Sequence, residues 1–158
     1  MVNKSSRVEQ ANVGDYLSIS KLALEKHHIL YVDEIFAEFI VITIPPLELV
    51  PNSVQFASRS KNPLGSLDRV KDLTSTYNQG LMKLQSDKIR VLDIVPFWSD
   101  IASNPKEYGF AHVKKACLGG GKVCPNPVAY MYWDSLHPTT TMHEIIAKQV
   151  HGYLEKIV

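Results

Sequence analysis

The stretch Tyr130-Met-Tyr-Trp-Asp134-Ser-Leu-His137-Pro-Thr139 holds the residues of this chain best suited to chemistry. An Asp three residues before a His, on a turn that feeds a helix, can hold the imidazole from behind. Its carboxylate would accept the Nδ1–H, fix the tautomer and stabilise the imidazolium formed when the ring takes up a proton. Nε2 then faces outward as a general base for a hydroxyl nucleophile. The pattern D-x-x-H is short, however, and the same spacing arises where a structural Asp opens a helix. On spacing alone both readings stand.

The other reactive side chains carry plainer readings. Cys117 and Cys124 are the only cysteines, and they flank Leu118-Gly-Gly-Gly-Lys-Val123, a flexible loop able to bring two sulfurs together. A bridge there would stabilise the fold by roughly 2.5 kcal/mol through loop closure and imply an oxidising compartment. Two unpaired thiols fit the spacing equally well. Two cysteines without a histidine cluster do not complete four metal ligands, so no metal or other cofactor is expected. His27-His28 reads as a solvated pair at a helix end, and His143 and His151 as surface or rim residues of the last helix. Gly119-Gly-Gly121 has no Lys-Ser/Thr after it and no strand before it, so it is not a phosphate cradle. Trp98 and Trp133 read as core or pocket wall. Trp133, beside the acid, is the better candidate for lining an acyl pocket.

Several elements must position these residues. Ser18–Leu30 reads as a short amphipathic helix. Glu38–Ile44 is a nearly unbroken β-branched and aromatic run halted by Pro45-Pro46, as a strand covered on both faces requires. A loop is expected through Pro51, Asn52 and Asn62-Pro63. Leu64, Leu67, Val70, Leu73, Tyr77, Leu81 and Leu84 then recur at helical spacing. Ile89–Val95 is a second short strand, followed by a helix or turn over Phe97–Ser103 and a breaker at Asn104-Pro105. A final helix is expected from about Pro138 to Lys156, with Met142, Ile145, Ile146, Val150, Tyr153 and Leu154 facing inward and Pro138 in the first turn. Strands joined by helices of this length imply parallel pairing, hence an α/β fold. Two strands make a poor sheet, which points to part of a larger domain.

Composition narrows the partners. The 158 residues fit one domain, with 45% hydrophobic and 21% charged residues, ordinary for a globular protein. A net charge of +1 leaves no basic footprint for nucleic acid. The longest apolar stretch, Phe39–Pro46, is too short for a transmembrane segment. Met1–Gly14 is polar and lacks the apolar centre of a signal peptide.

Taken together, the ordered motifs resemble a known family. Asp134-Ser-Leu-His137-Pro-Thr resembles the D-x-x-H-P-T block near the C-terminus of GDSL (SGNH) lipases and esterases. Asn104-Pro-Lys-Glu-Tyr-Gly-Phe110, then Ala116-Cys117 and Cys124-Pro-Asn-Pro127, is similar to the segment members carry before that block. Ile42-Thr-Ile-Pro-Pro-Leu47, ending in Pro51, resembles the strand and proline-rich loop upstream. The resemblance runs from about Asp15 to the end. It implies a partial doubly wound parallel sheet, a flavodoxin-like three-layer α/β/α arrangement lacking its N-terminal strands. Residues 1–14 are then a polar leading segment and 15–158 the C-terminal part of the domain. It further implies that Asp134 and His137 are the acid and base of a catalytic triad, that Cys117 and Cys124 are bridged, that the substrate is a small-molecule or lipid ester, and that the parent protein is exported.

Two parts of the family pattern are missing. There is no G-D-S. The only Gly-Asp, Gly14-Asp15, precedes Tyr16, a poorly nucleophilic phenol. Asn12-Val-Gly-Asp15-Tyr-Leu17 resembles the oxyanion-hole block G-x-N-D with Gly14 where the Asn belongs. The serine is therefore expected from outside this chain, from an N-terminal fragment, or not at all. The strand Glu38–Ile44 is expected to have an unpaired edge where its neighbours belonged.

Overall fold

The computed structural model describes residues 39–157. The expected helix Ser18–Leu30, the His27-His28 pair and the Asn12–Leu17 block lie outside the described residues.

Phe39-Ile-Val-Ile42 forms β1, a strand of the type its β-branched run calls for. It pairs in parallel with β2, Ile89–Leu92, in the register Phe39↔Ile89 to Ile42↔Leu92. Among the described residues β2 is the partner strand of β1. Both strands are shorter than expected: Glu38 lies outside the described residues, and Val95 opens a helix. The crossover between them is α2, Pro63–Met82, 20 residues long. Pro63 sits where a missing N–H is harmless, and Asn62 caps the helix by accepting from Gly65 N–H at 3.1 Å.

The strand ends are stitched together where Pro45 and Pro46 offer no N–H. Buried Asn78 on α2 donates to the Ile44 carbonyl (2.8 Å) and accepts the Ile44 N–H (3.0 Å). Thr43 Oγ1 donates to Asp93 Oδ1 (3.0 Å) and accepts the Ile94 N–H (3.0 Å). Together with the Thr43 N–H donating to the Leu92 carbonyl (3.0 Å), these bonds fix the ends of β1 and β2 to each other and to α2.

The segment expected to be a loop after Pro46 contains α1, Pro51–Ser58. Pro, Asn and two Ser read as a loop, but Pro51 occupies the first helical turn and Ala57 gives the helix a buried contact. Beyond β2 comes α3, Val95–Ser103. Its end is closed by Asp100, which accepts from Asn104 Nδ2 (2.6 Å) and from the Tyr108 hydroxyl. Gly109, at φ 80°, takes the left-handed position after the turn Pro105–Tyr108.

The C-terminal third holds four further strands. β3, His112–Ala116, and β6, Tyr130–Tyr132, pair in parallel with a register shift between His112 and Ala116. Between them the glycine-rich loop is a hairpin, β4 (Leu118–Gly119) against β5 (Lys122–Val123), turned by Gly120 and Gly121 at φ 57° and 74°. A disulfide joins Cys117 to Cys124 across its base. The described strands therefore form three two-stranded sheets, two of them parallel, within an α/β fold.

The last helix, α4, is Thr140–Ile157. It starts later than the expected Pro138, because buried Thr139 is its cap: Oγ1 accepts the Met142 N–H (3.3 Å) and the Thr139 carbonyl accepts the His143 N–H (3.0 Å). Pro138 instead bridges to Tyr132. Met142 is fully buried and Ile145 and Ile146 pack on the core, whereas Leu154, expected inside, is exposed. The core joins Val50, Ile94, Trp98, Ile101, Phe110, Met131, Tyr132 and Met142, so α3, α4 and β6 contribute directly and α1 through its flanking Val50, while Leu92 of β2 packs against the cluster. At its centre Trp98 Nε1–H donates to the Tyr132 hydroxyl (3.1 Å), giving both buried polar atoms a partner. Burial raises the Tyr132 phenol above its ordinary pKa.

Candidate active site

Strand β6 delivers Tyr132 and Trp133 into a loop fixed from both sides. On one side the Cys117 N–H donates to the Tyr132 carbonyl (3.0 Å) and the Leu118 N–H to the Trp133 carbonyl (2.6 Å). On the other the Trp133 N–H donates to the His137 carbonyl (2.8 Å), closing the loop on itself. The disulfide hairpin thus backs the two residues immediately before Asp134. A third tether comes from α1, where the Asn52 N–H donates to the Ser135 carbonyl (2.8 Å).

Within this frame Asp134 folds back on the residues after it. Its Oδ1 accepts the N–H groups of Leu136 (2.8 Å) and His137 (2.7 Å). The side chain of His137 places Nδ1 2.8 Å from Oδ2 and 3.0 Å from Oδ1. The carboxylate is held down to about 2, chiefly by the His137 N–H, then the Leu136 N–H, then the imidazole. An ionised carboxylate facing Nδ1 selects the tautomer that carries its proton there. The side chain of His137 is 69% exposed, so Nε2, on the far edge of the ring, is open to solvent. Among the described residues no serine, threonine or cysteine is hydrogen-bonded to it.

The other candidates fall elsewhere. Trp98 is in the core and Trp133 is half-buried, with both backbone groups engaged in the loop. His143 is exposed, its Nδ1 3.0 Å from the Thr139 carbonyl, and His151 lies 3.6 Å from Glu155 on the outside of α4. A cavity of about 240 Å³ lies between α2 and the strand ends, lined in part by Pro46, Glu48, Asn78, Met82 and Asp93. Its lining includes neither His137 nor Trp133. Among the described residues there is no cluster of three His, Cys, Asp or Glu fit for a metal, and no helix is long and apolar enough to cross a membrane.

Two positioning contacts were not foreseen. Thr139 belongs to the quoted D-x-x-H-P-T block, yet its spacing alone assigned it no role. Here Oγ1 donates to the Tyr130 carbonyl (2.7 Å) and the Thr139 N–H to the Met131 carbonyl (3.0 Å), tying the loop's exit to the strand at its entrance. The Asn52–Ser135 contact joins positions far apart in the chain and leaves no local signature.

An α/β framework thus presents a carboxylate–imidazole pair on a loop leading into its last helix. Comparison with known proteins gives the family. The model for GDSL-like lipase/acylhydrolase matches residues 8–150, and the chain belongs to that family. Among curated relatives from Arabidopsis thaliana, one GDSL esterase/lipase is 28% identical over 131 residues, covering 71% of this chain and 37% of its own length. A second is 32% identical over 126 residues, covering 67% and 33%. The GDSL esterase/lipase EXL2 is 32% identical over 139 residues, covering 75% and 35%. The chain spans about a third of the length of these relatives.

Proposed function

We propose that this chain, over residues 15–158, supplies the acid–base half of a serine ester hydrolase acting on a carboxylic or phospholipid acyl ester. The observation that carries this reading is the grip of Asp134 on His137: Nδ1 is held by an ionised carboxylate while Nε2 stays open. In the proposed reaction Nε2 takes the proton of a serine hydroxyl as that oxygen attacks the ester carbonyl. It then returns the proton to the departing alkoxide, leaving an acyl-enzyme. Water repeats the cycle to release the acid. Asp134 keeps the ring in register and stabilises the imidazolium in both halves. No cofactor takes part. Trp133, next to the acid, is proposed to line the acyl pocket once that pocket is complete.

The serine must come from elsewhere, because the 158 residues contain no G-D-S. In well-studied serine hydrolases, loss of the nucleophile costs about a millionfold in turnover. The same fact favours a second reading, a non-catalytic member that keeps the fold and has lost turnover. A fluorophosphonate probe separates the two. Labelling of the purified chain requires a working nucleophile. If the chain alone is silent, co-expression with a G-D-S-bearing N-terminal fragment of a relative should restore esterase activity that disappears in His137→Ala. Failure of that pairing to restore activity rejects the hydrolase reading in favour of the second.

A further inference from the structure

The α1–α2 hairpin, which touches the loop of the candidate site through Asn52, exposes large apolar side chains. Phe56 on α1 is 72% exposed and Leu64, in the first turn of α2, is 76% exposed. Leu136, between Asp134 and His137, is 51% exposed. Isolated exposed apolar residues are common and need no explanation. Here α1 and the loop that carries Leu136 are joined by a direct bond. Asn52 and Phe56 are four residues apart on α1, hence on one helix face, and Asn52 holds the Ser135 carbonyl. Phe56 therefore stands one helical turn from the point where α1 grips the loop that carries Leu136.

The hairpin is also built to hold this tip in shape. Ala57 turns inward and is buried, while its neighbour Phe56 points to solvent. The turn between the helices is locked by Arg59 N–H to the Phe56 carbonyl (3.2 Å), Ser60 N–H to the Ala57 carbonyl (2.9 Å), Ser66 Oγ to Ser60 Oγ (2.9 Å) and the Asn62 cap. Its charge is one-sided. Residues 49–67 contain Arg59 and Lys61, both exposed, and no Asp or Glu; Glu48 and Asp68 bracket the stretch. Two cations set between two exposed apolar side chains in the turn segment complement a surface with an anionic headgroup layer above hydrocarbon.

We infer that the tip formed by Phe56, Arg59, Lys61 and Leu64 docks this chain onto an anionic lipid surface. Phe56 and Leu64 enter the headgroup–acyl boundary while Arg59 and Lys61 pair with lipid phosphates or carboxylates. Leu136 and the open edge of His137 then lie beside the surface from which an acyl ester would be drawn. That last benefit rests on the ester hydrolase reading; the docking itself needs no serine and no turnover.

Sedimentation of the full chain with sucrose-loaded vesicles tests it. Vesicles of phosphatidylcholine with about a third phosphatidylserine should carry the chain down at low salt, and those of pure phosphatidylcholine should bind roughly tenfold less. Arg59→Gln with Lys61→Gln should erase that difference. Phe56→Ser with Leu64→Ser should weaken binding to the anionic vesicles by tenfold or more. All four positions are exposed, so the variants should keep the wild-type far-ultraviolet dichroism. Phe56→Trp should bind as wild type, with emission moving to shorter wavelength on vesicle addition beyond any change from Trp98 and Trp133. No binding of the wild type to anionic vesicles, or equal binding by the Phe56→Ser, Leu64→Ser variant, overturns the inference. Loss of all esterase activity in the reconstitution above, with vesicle binding intact, would reject the hydrolase reading and leave the docking surface standing.

Discussion

Asp134 holds His137 by both its backbone and its ring: one carboxylate oxygen accepts the His137 N–H at 2.7 Å while the other faces Nδ1 at 2.8 Å. The two bonds do different work. The first sets the turn, and the second sets the tautomer. Asp134→Asn separates them, because the amide oxygen can still accept the backbone N–H groups while its NH₂ replaces the acceptor facing Nδ1. Nitrogen-15 spectra of His137 should show the Nδ1-protonated form dominant in the wild type and lost in the variant, with the fold unchanged. In a reconstituted enzyme the same change should lower turnover by roughly four orders of magnitude.

The pH dependence follows from the same carboxylate. Its folded pKa, about 2, lies below the ordinary value of 3.8, so the hold on the loop is whole above the latter and is lost as pH falls from 3.8 toward 2. A carbon-13 titration of the Asp134 carboxyl should give a midpoint near 2. Exchange of the Leu136 and His137 amides should accelerate only below about pH 4, beyond the general pH trend of the other amides. A midpoint near the ordinary value would mean that the two backbone bonds are not formed in solution.

Much of this arrangement was legible in the residues themselves. The unbroken run Phe39–Ile42 and the three- and four-residue spacing from Leu64 to Leu81 each report a burial pattern set by their own element, so β1 and α2 emerged with the correct type. Asp134 and His137 are three residues apart, and their contact is equally local. What escaped is non-local or short. β3 and β6 have only 5 and 3 residues, and β3 carries Lys114 and Lys115 on an exposed edge, so no apolar alternation announces it. α1 opens with the turn-forming residues Pro51, Asn52 and Ser53, and it is a helix whose preceding Val50 sits in the core and whose Ala57 is buried. The start of α4 was misplaced because Pro138 is as acceptable before a helix as within its first turn, and only the bond from Thr139 to Tyr130 decides between them.

That bond is itself testable. Thr139→Val keeps the shape of a buried side chain but removes both the donor to the Tyr130 carbonyl and the acceptor for the Met142 N–H. Losing a cap and leaving a partner unsatisfied should cost about 1–3 kcal/mol in urea unfolding. Thr139→Ser should recover most of it. A loss in Ser with none in Val would assign the cost to packing of the methyl group.

Asn78 offers a parallel case at the other end of the fold. Asn78→Leu leaves both the N–H and the carbonyl of Ile44 without their partner, just where Pro45 and Pro46 prevent the chain from finding another donor. The expected destabilisation is about 2–3 kcal/mol, with faster exchange at Ile44. Asn78→Asp should be intermediate, since it keeps the acceptor and loses the donor.

Removing the bridge between Cys117 and Cys124 should act on stability and on the site together. Replacing both by Ala lengthens the reach of the unfolded chain and should cost roughly 2.5 kcal/mol, lowering Tm by roughly 5–10 °C. The hairpin also holds the Tyr132 and Trp133 carbonyls, so the damage should spread along those bonds. Amide exchange at Cys117 and Leu118 should quicken first, followed by Trp133, whose N–H closes the loop on His137. The core amides of Ile101 and Met142 should slow or quicken only as much as the global stability does. If Leu118 and Trp133 change no more than those core positions, the bridge stabilises the fold as a whole and does not brace the Asp134–His137 loop.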